Sequence, residues 1–348
     1  MWHGLKLLGV DGVVWRTPDT PENEAAFGKS RTQHGDTAYP QVQMVCQMEL
    51  SSHLLVASEF DRYGTNEMHL AARLTKGTPD NSITLFDKGF YSLGLLHHWQ
   101  NIGENRHWLL PLKKNTQYEE IRKLGRQDRL VKIRKLGRHR LVKLKTSPQS
   151  RKQWDGLPEE VIARLIVRTI KGKEREVLTS LTDTMRYPAA DVSELYQHRW
   201  EIELGYWEVK QELLGNRWTL RSKLPEMVRQ ELWGVLLTYN LVRYQMVKMA
   251  FNLKGDYLPY QLSFSGTISE ILRLLIGLPL CSAGAVPGHL KYFYELAGSL
   301  VLPGRRERSY PRELKSLKRK YPIKNNAGHR CLSLQIRPLL AIRRCGGS

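Results

Sequence analysis

Residues Ile83 to Leu112, ITLFDKGFYSLGLLHHWQNIGENRHWLLPL, read as a strand, a turn, a helix and a second strand. ITLF is an apolar and β-branched run with no charged break, the composition of a strand covered on both faces. Asp87 closes that run. The chain then turns through Gly89 into a helix before HWLLPL, His107 to Leu112, returns to strand. An aspartate at a strand end ordinarily caps a turn or a helix, so Asp87 by itself assigns no chemistry.

Upstream, Leu5 to Trp15, LKLLGVDGVVW, is a β-rich run with Asp11 as its one acid. The connection RTPDTPENEAAFG follows, and its prolines predict no regular structure before about Ala25. Gln41 to Glu49 and His53 to Phe60 flank a Ser-Ser turn as a hairpin. Asn66 is placed to cap a helix running to about Lys76. Downstream, β-branched runs return at Val161 to Thr169 and Arg175 to Leu181, and Pro188 precedes one long helix from Asp191 to Gly215. Helical apolar spacing then marks Pro225 to Phe251, Thr267 to Gly277 and, more weakly, Gly288 to Leu300.

The order is three strands, a helix, a strand, a helix and a strand, then an interruption and the long helix. That is the order of an α/β, RNase H-like mixed sheet with flanking helices, here interrupted by a β-rich insertion and followed by a helical C-terminal part. The expected division is a sheet domain made of residues 1–112 and 188–300, a basic β-rich insertion subdomain at 113–187, and a basic tail at 301–348. The insertion holds a tandem repeat: IRKLGRQDRLVK, Ile121 to Lys132, is followed by IRKLGRHRLVK, Ile133 to Lys143, with Gln127-Asp128 replaced by His139. Two copies are too few for a solenoid, so the repeat reads as a local duplication that lengthens a hairpin.

The 348 residues carry a formal charge of +20, unevenly distributed. Residues 113–187 hold 21 Lys and Arg against 9 Asp and Glu, and residues 301–348 hold 13 against 2. A near-neutral body with two basic appendages suits a polyanionic partner, most often nucleic acid, rather than a uniformly supercharged fold. The four cysteines have no CxxC spacing and no clustered histidines beside them, so neither a zinc site nor a disulfide framework is suggested. No apolar run reaches the roughly 18 residues of a membrane span, and the N-terminus lacks the order of a signal peptide. The expected location is cytoplasmic, with no membrane partner.

Asp11 in the first strand and Asp87 at the end of the fourth belong to neighbouring strands in a sheet of this order, so the two acids can converge. A third comes from the long helix. On a wheel of about 100° per residue with Tyr196 at zero, Arg199, Glu203 and Lys210 share with it a strip roughly 60° wide, while Glu201, Glu208 and Glu212 face elsewhere. Arg199 and Glu203 taken alone could be an (i, i+4) pair on a solvated face. Three carboxylates meeting at one point repel one another unless a cation lies between them, and hard divalent ions such as Mg²⁺ or Mn²⁺ are the fitting occupants. Two such ions would support an in-line phosphoryl displacement. His97 and His98 are expected on a surface helix, and Trp200 and Trp207 in the core.

The spacing Tyr196-x2-Arg199-x3-Glu203-x6-Lys210 resembles the Y-R-E-K signature of bacterial transposases of the insertion-sequence-4 type, members of the DDE superfamily. VDGVVWRTPDTPENEAAFG resembles the first-Asp block of that family and LFDKGFYSLGLL its second. VLTSLTDTMRYPAADVSELYQHRWEIELGYWEVKQELL resembles the third, so the likeness runs from about Leu5 to Tyr321. It implies that Asp11, Asp87 and Glu203 hold two Mg²⁺ or Mn²⁺ ions and are the catalytic residues, and that Tyr196, Arg199 and Lys210 bind DNA at the phosphates of the transposon end.

The family reaction is hydrolytic nicking followed by attack of the freed 3′-hydroxyl. The implied partners are double-stranded DNA, as transposon ends and target, and a second copy of the chain as a homodimer in the DNA complex. The implied location is bacterial and nucleoid-associated. Family members usually carry an N-terminal helical domain that helps bind the ends, whereas this chain opens at the first catalytic strand, and the family's insertion usually lacks a tandem repeat. A catalytically idle, truncated DNA-binding remnant and an RNase H-like nuclease are the alternative readings.

Overall fold

The computed structural model describes residues 1–32, 35–135, 155–170, 173–215 and 219–303. Most of the basic tail and the second repeat copy from Leu136 onward therefore lie outside the described residues. The protein is mixed α/β. Its centre is a nine-stranded sheet formed by β1 (Lys6–Arg16), β2 (Gln41–Glu49), β3 (Leu55–Arg62), β4 (Ser82–Phe86), β5 (Arg106–Pro111), β6 (Glu119–Gly125), β7 (Asp128–Arg134), β8 (Glu160–Ile170) and β9 (Lys173–Thr179). The spatial order is β3-β2-β1-β4-β5-β9-β8-β7-β6. β1 runs antiparallel to β2 and parallel to β4, which is parallel to β5.

Alternation along the strands sorts their side chains onto two cores. Leu7, Val13 and Trp15 of β1, with Met44, Cys46 and Met48 of β2 and Ile83 and Leu85 of β4, belong to one. Val10, Val45, Phe86 and Trp108 belong to the other, beneath α2 (Glu67–Leu74) and α3 (Leu93–Asn101). Asp11 has the parity of Leu7 and Val13, and Asp87, one residue past Phe86, continues the parity of Ile83 and Leu85. Both acids are thereby assigned to the first face. That face is covered by α4 (Ala189–Leu195), α5 (Trp200–Trp207) and the 28-residue α6 (Pro225–Asn252).

The helix starts follow local capping. Asn66 accepts from the Met68 amide at 2.9 Å to open α2, and Ser92 caps α3. The expectation of no regular structure before about Ala25 is corrected by α1 (Pro21–Phe27). Thr20 caps it, and Pro21 stands in the first turn, where an amide hydrogen has no intrahelical partner to lose. The long helix is corrected in its winding. The chain is continuous from Ala189 to Leu213, but a tight 3-10 turn (Tyr196–Arg199) separates α4 from α5, and a π turn (Glu208–Leu213) follows α5. After α6 come α7 (Phe264–Gly277) and α8 (Val286–Glu295).

The described strands of residues 113–187 join the same sheet. β9 pairs with β5 through Val177↔Pro111, Leu178↔Leu110 and Thr179↔Leu109, and β8, β7 and β6 extend the sheet outward from it. The first repeat copy makes the β6–β7 hairpin, and Asp128 fixes its place. Asp128 accepts from Arg164 Nε at 2.8 Å and from its terminal nitrogen at 2.6 Å, while Arg164, fully buried, also donates to the Tyr187 carbonyl at 2.6 Å. The second copy carries His139 where the first carries Gln127-Asp128, so it has no carboxylate to offer Arg164. A buried bidentate pair is best understood as a register device, because breaking it leaves an uncompensated charge. Asp128→Ala is expected to cost about 3–5 kcal/mol in chemical denaturation. Glu119→Ala, whose partners Lys132 and Arg134 lie on the surface, is expected to cost less than about 1 kcal/mol.

Candidate active site

α5 lies close on the sheet because of Gly205: a Cβ there would overlap the Met48 thioether and press on the Tyr239 hydroxyl. Ile202, Gly205, Tyr206 and Val209 are buried against the sheet side, and Glu201 is buried as well. The Tyr206 hydroxyl donates to the main-chain carbonyl of Asp11 at 2.8 Å, fixing the helix to β1 beside that residue. The Asp11 side chain accepts from the Gly12 amide at 2.8 Å. Asp87 accepts from the Lys88 amide at 2.7 Å and so caps the turn after β4.

Arg199 connects the acids of strand and helix. It donates to Glu203 Oε1 at 2.6 Å, and its other terminal nitrogen is 3.5 Å from Asp11 Oδ2. Burial pushes the Asp11 carboxyl up to about 6. The Gly12 amide and Arg199 pull it down, and the charges of Glu203 and Asp87 push it further up. Asp11 therefore feels the charge of both other acids. Tyr196 borders the same space: burial above all raises its phenol to about 12, with Arg199, Asp87 and Asp11 as its charged neighbours. Its hydroxyl stays protonated at any working pH.

Lys210 stands apart from this group. Its ammonium lies 5.2 Å from the centroid of Trp15, four residues along β1 from Asp11, or about 13 Å at strand rise. Desolvation and then Arg16 lower its pKa. Asp11, Asp87, Glu203, Tyr196 and Arg199 thus gather at one place, and Lys210 lies farther down the same strand. Among the described residues no three His, Cys, Asp or Glu side chains close into a metal cage; Arg199 spans Asp11 and Glu203 instead.

Trp200 and Trp207 correct the expectation that they are core. They are 48% and 51% exposed, with Leu204 between them at 38%, because the sheet side of the helix is taken by Ile202, Tyr206 and Val209. The Arg199 guanidinium lies 5.6 Å from the Trp200 ring centroid. His97 and His98 are half-buried on α3, as a surface helix implies. Sequence reasoning missed Glu67, the first residue of α2. It accepts from Gln43 at 2.8 Å, and any side chain at Gly12 would overlap its carboxylate. Burial first and Asp87 second raise its pKa. Its one sequence signal is the Asn66 cap, which sets it at the helix start without assigning it a neighbour.

Residues 2–241 match the family described as Transposase DDE domain. The chain is 54% identical over 321 residues to transposase InsG for insertion sequence element IS4 of Escherichia coli (strain K12), covering 92% of this chain and 70% of that protein. The chain belongs to the DDE transposases of the insertion-sequence-4 type. The transposase is also similar to the putative transposase InsZ of the same organism, at 46% identity over 121 residues, 34% of this chain and 40% of that one. Among solved structures, a piggyBac transposase synaptic complex with hairpin DNA aligns over 88% of this chain and 59% of that chain. The identity is 9% and the TM-score 0.40, too loose to bear on the fold. The transposase acts on DNA, and its family is generally dependent on divalent metal. Among its described residues no helix is long and apolar enough to cross a membrane.

The raised pKa of Asp11 has a consequence for stability. An unfolded aspartate ionises near 3.8, whereas the folded one ionises near 6. The contribution of this group to stability is therefore full below the unfolded value and is lost as the pH rises through about 6. The span corresponds to about 3 kcal/mol at most. Asp11→Asn is expected to unfold a few degrees higher than the parent at pH 8 and at the same temperature near pH 4. Equal midpoints at pH 8 would contradict the assigned environment.

Proposed function

We propose that this transposase nicks transposon ends and transfers the freed 3′-hydroxyl, with Asp11, Asp87 and Glu203 as the oxygen ligands of two divalent ions, Mg²⁺ or Mn²⁺. The observation that carries the reading is the Arg199 guanidinium spanning Asp11 of β1 and Glu203 of α5, with Asp87 at the end of β4 near enough for its charge to act on Asp11. The donor set fits hard divalent ions: all three side chains offer oxygen, and the charges of Glu203 and Asp87 already disfavour ionisation of Asp11. When bound, such ions would activate the attacking oxygen and neutralise the leaving one.

The chain's own residues supply the rest. Arg199 has a rigid fork of donors, able to turn from the carboxylates to a phosphate oxygen. Tyr196, held neutral, can donate to a second phosphate oxygen, and Lys210 can meet the backbone farther along. The exposed Trp200 ring beside Arg199 offers a face on which an unpaired base can stack. The strand order β3-β2-β1-β4-β5, with β1 parallel to β4, supports the RNase H-like reading of the sheet. In this reading residues 1–112 and 188–300 form the catalytic domain with its C-terminal helices, 113–187 the insertion, and 301–348 a basic tail along DNA. Two copies of the chain act together on paired ends, in the cytoplasm at the nucleoid.

The test is nicking of duplex ends taken from the DNA that flanks the coding sequence, with Mg²⁺ or Mn²⁺. Asp87→Ala and Glu203→Gln should each lose about 1,000-fold or more in single-turnover rate, several kcal/mol of transition-state stabilisation. Both should keep metal-free binding. Arg199→Ala should weaken end binding and flatten its salt dependence by about one phosphate contact. Cleavage that survives in both acid variants, or a parent that binds ends without cutting them, rejects the assignment.

A further inference from the structure

The side of α5 turned away from the acid cluster is tied down by a buried ionic network that the reaction chemistry does not use. Glu201 and Glu208 are seven residues apart and so lie on nearly one line of the helix, about 200° round from Glu203. Glu201 is 3% exposed and its carboxylate is 2.9 Å from His53 Nε2. Glu208 accepts from Arg243 of α6 in a short contact and from the Tyr239 hydroxyl at 2.9 Å. Arg243, fully buried, also donates to His53 Nδ1 at 3.0 Å. An arginine nitrogen can only donate, so Nδ1 accepts and the Nε2 hydrogen points at Glu201. One guanidinium thus engages both anchors, Glu208 directly and Glu201 through the imidazole.

The network reaches across separate elements at a local cost. His53 belongs to the β2–β3 turn and is held at a positive φ of 62°, unfavourable for a residue with a side chain. Glu49 organises that turn by accepting from Ser51 and Ser52, and Tyr260 stacks on the imidazole at 5.5 Å. Glu208 is also the first residue of the π turn that contains Lys210. Local winding of this kind departs from what a free helix would adopt, and here it begins at the residue held by Arg243.

We infer that Arg243 and His53 are positioning residues of the transposition reaction, setting the rotation of α5 about its axis through Glu208 and Glu201 and thereby the place of Glu203 beside Asp11. A rotation of 20° would move a side chain on the far surface of a helix by about 2 Å. Misplacement by about 1 Å can cost about 100-fold in rate. The inference rests on the metal-ligand reading of Glu203.

The test pairs two kinds of variant. Glu208→Leu with Arg243→Met replaces the buried pair by apolar groups of similar size, a change that folds tolerate. Glu201→Gln still accepts from His53, whereas Glu201→Leu does not. Each is assayed well below its unfolding temperature for Mn²⁺ affinity, by the electron paramagnetic resonance signal of free Mn²⁺, and for single-turnover nicking of duplex ends. The double variant and Glu201→Leu should bind Mn²⁺ at least about 10-fold more weakly and nick about 10- to 100-fold more slowly. Metal-free end binding should be unchanged, and Glu201→Gln should stay within about twofold of the parent on both readouts. If the parent binds Mn²⁺ and nicks, and Glu201→Leu or a folded double variant matches it on both, the positioning role is overturned while the metal-site reading stands. If the parent neither binds Mn²⁺ nor nicks, the metal-site reading falls and takes this inference with it.

Discussion

The close seating of α5 on β1 and β2 is the contact from which the rest of the arrangement follows. It depends on a missing side chain at Gly205, on the Tyr206 hydroxyl reaching the Asp11 carbonyl, and on the apolar positions Ile202 and Val209 beneath the helix. Only at that spacing can Arg199 touch both Asp11 on the strand and Glu203 on the helix. The energetic conflict this creates, a half-screened group of carboxylates with one guanidinium among them, is carried by the apolar cores on both faces of the sheet. Sites that hold like charges together are a recognised reservoir of instability in enzymes, and the surrounding fold offsets it.

Much of this was legible in the sequence because alternation and capping are local. The strand end at Asp87 and the cap at Asn66 are set within a few residues. A uniform helical wheel failed where tertiary contacts act. It treated Tyr196 to Lys210 as one winding, but a tight turn and a π turn divide the stretch, and Lys210 lies over Trp15 rather than at the acids. It could say that Glu201 and Glu208 face away from Glu203. It could not say that Arg243, 35 residues beyond Glu208, waits there to meet them.

Trp200 and Trp207 fail for a different reason. Tryptophan is usually buried when enough apolar surface is at hand, and composition alone sends it inward. The helix instead spends its inward positions on smaller residues, which lets it lie nearer the sheet and leaves the indoles outside, next to Arg199. The placement of Asp128 is a further case: nothing in a basic repeat marks one carboxylate as the partner of an arginine 36 residues away. Such pairings are made by topology, and topology is the part of a sequence that local rules read least well.

The pairing of β9 with β5 has a mechanical side. Because β9 hydrogen-bonds directly to β5, the basic hairpin and the strand that carries Asp11 belong to one continuous sheet. Six strand spacings lie between β1 and β6, about 29 Å at the usual separation. The sheet is therefore a ruler. It keeps the acids and the outermost strand at a set distance, somewhat less than one turn of duplex DNA, and a pull on one end is felt at the other.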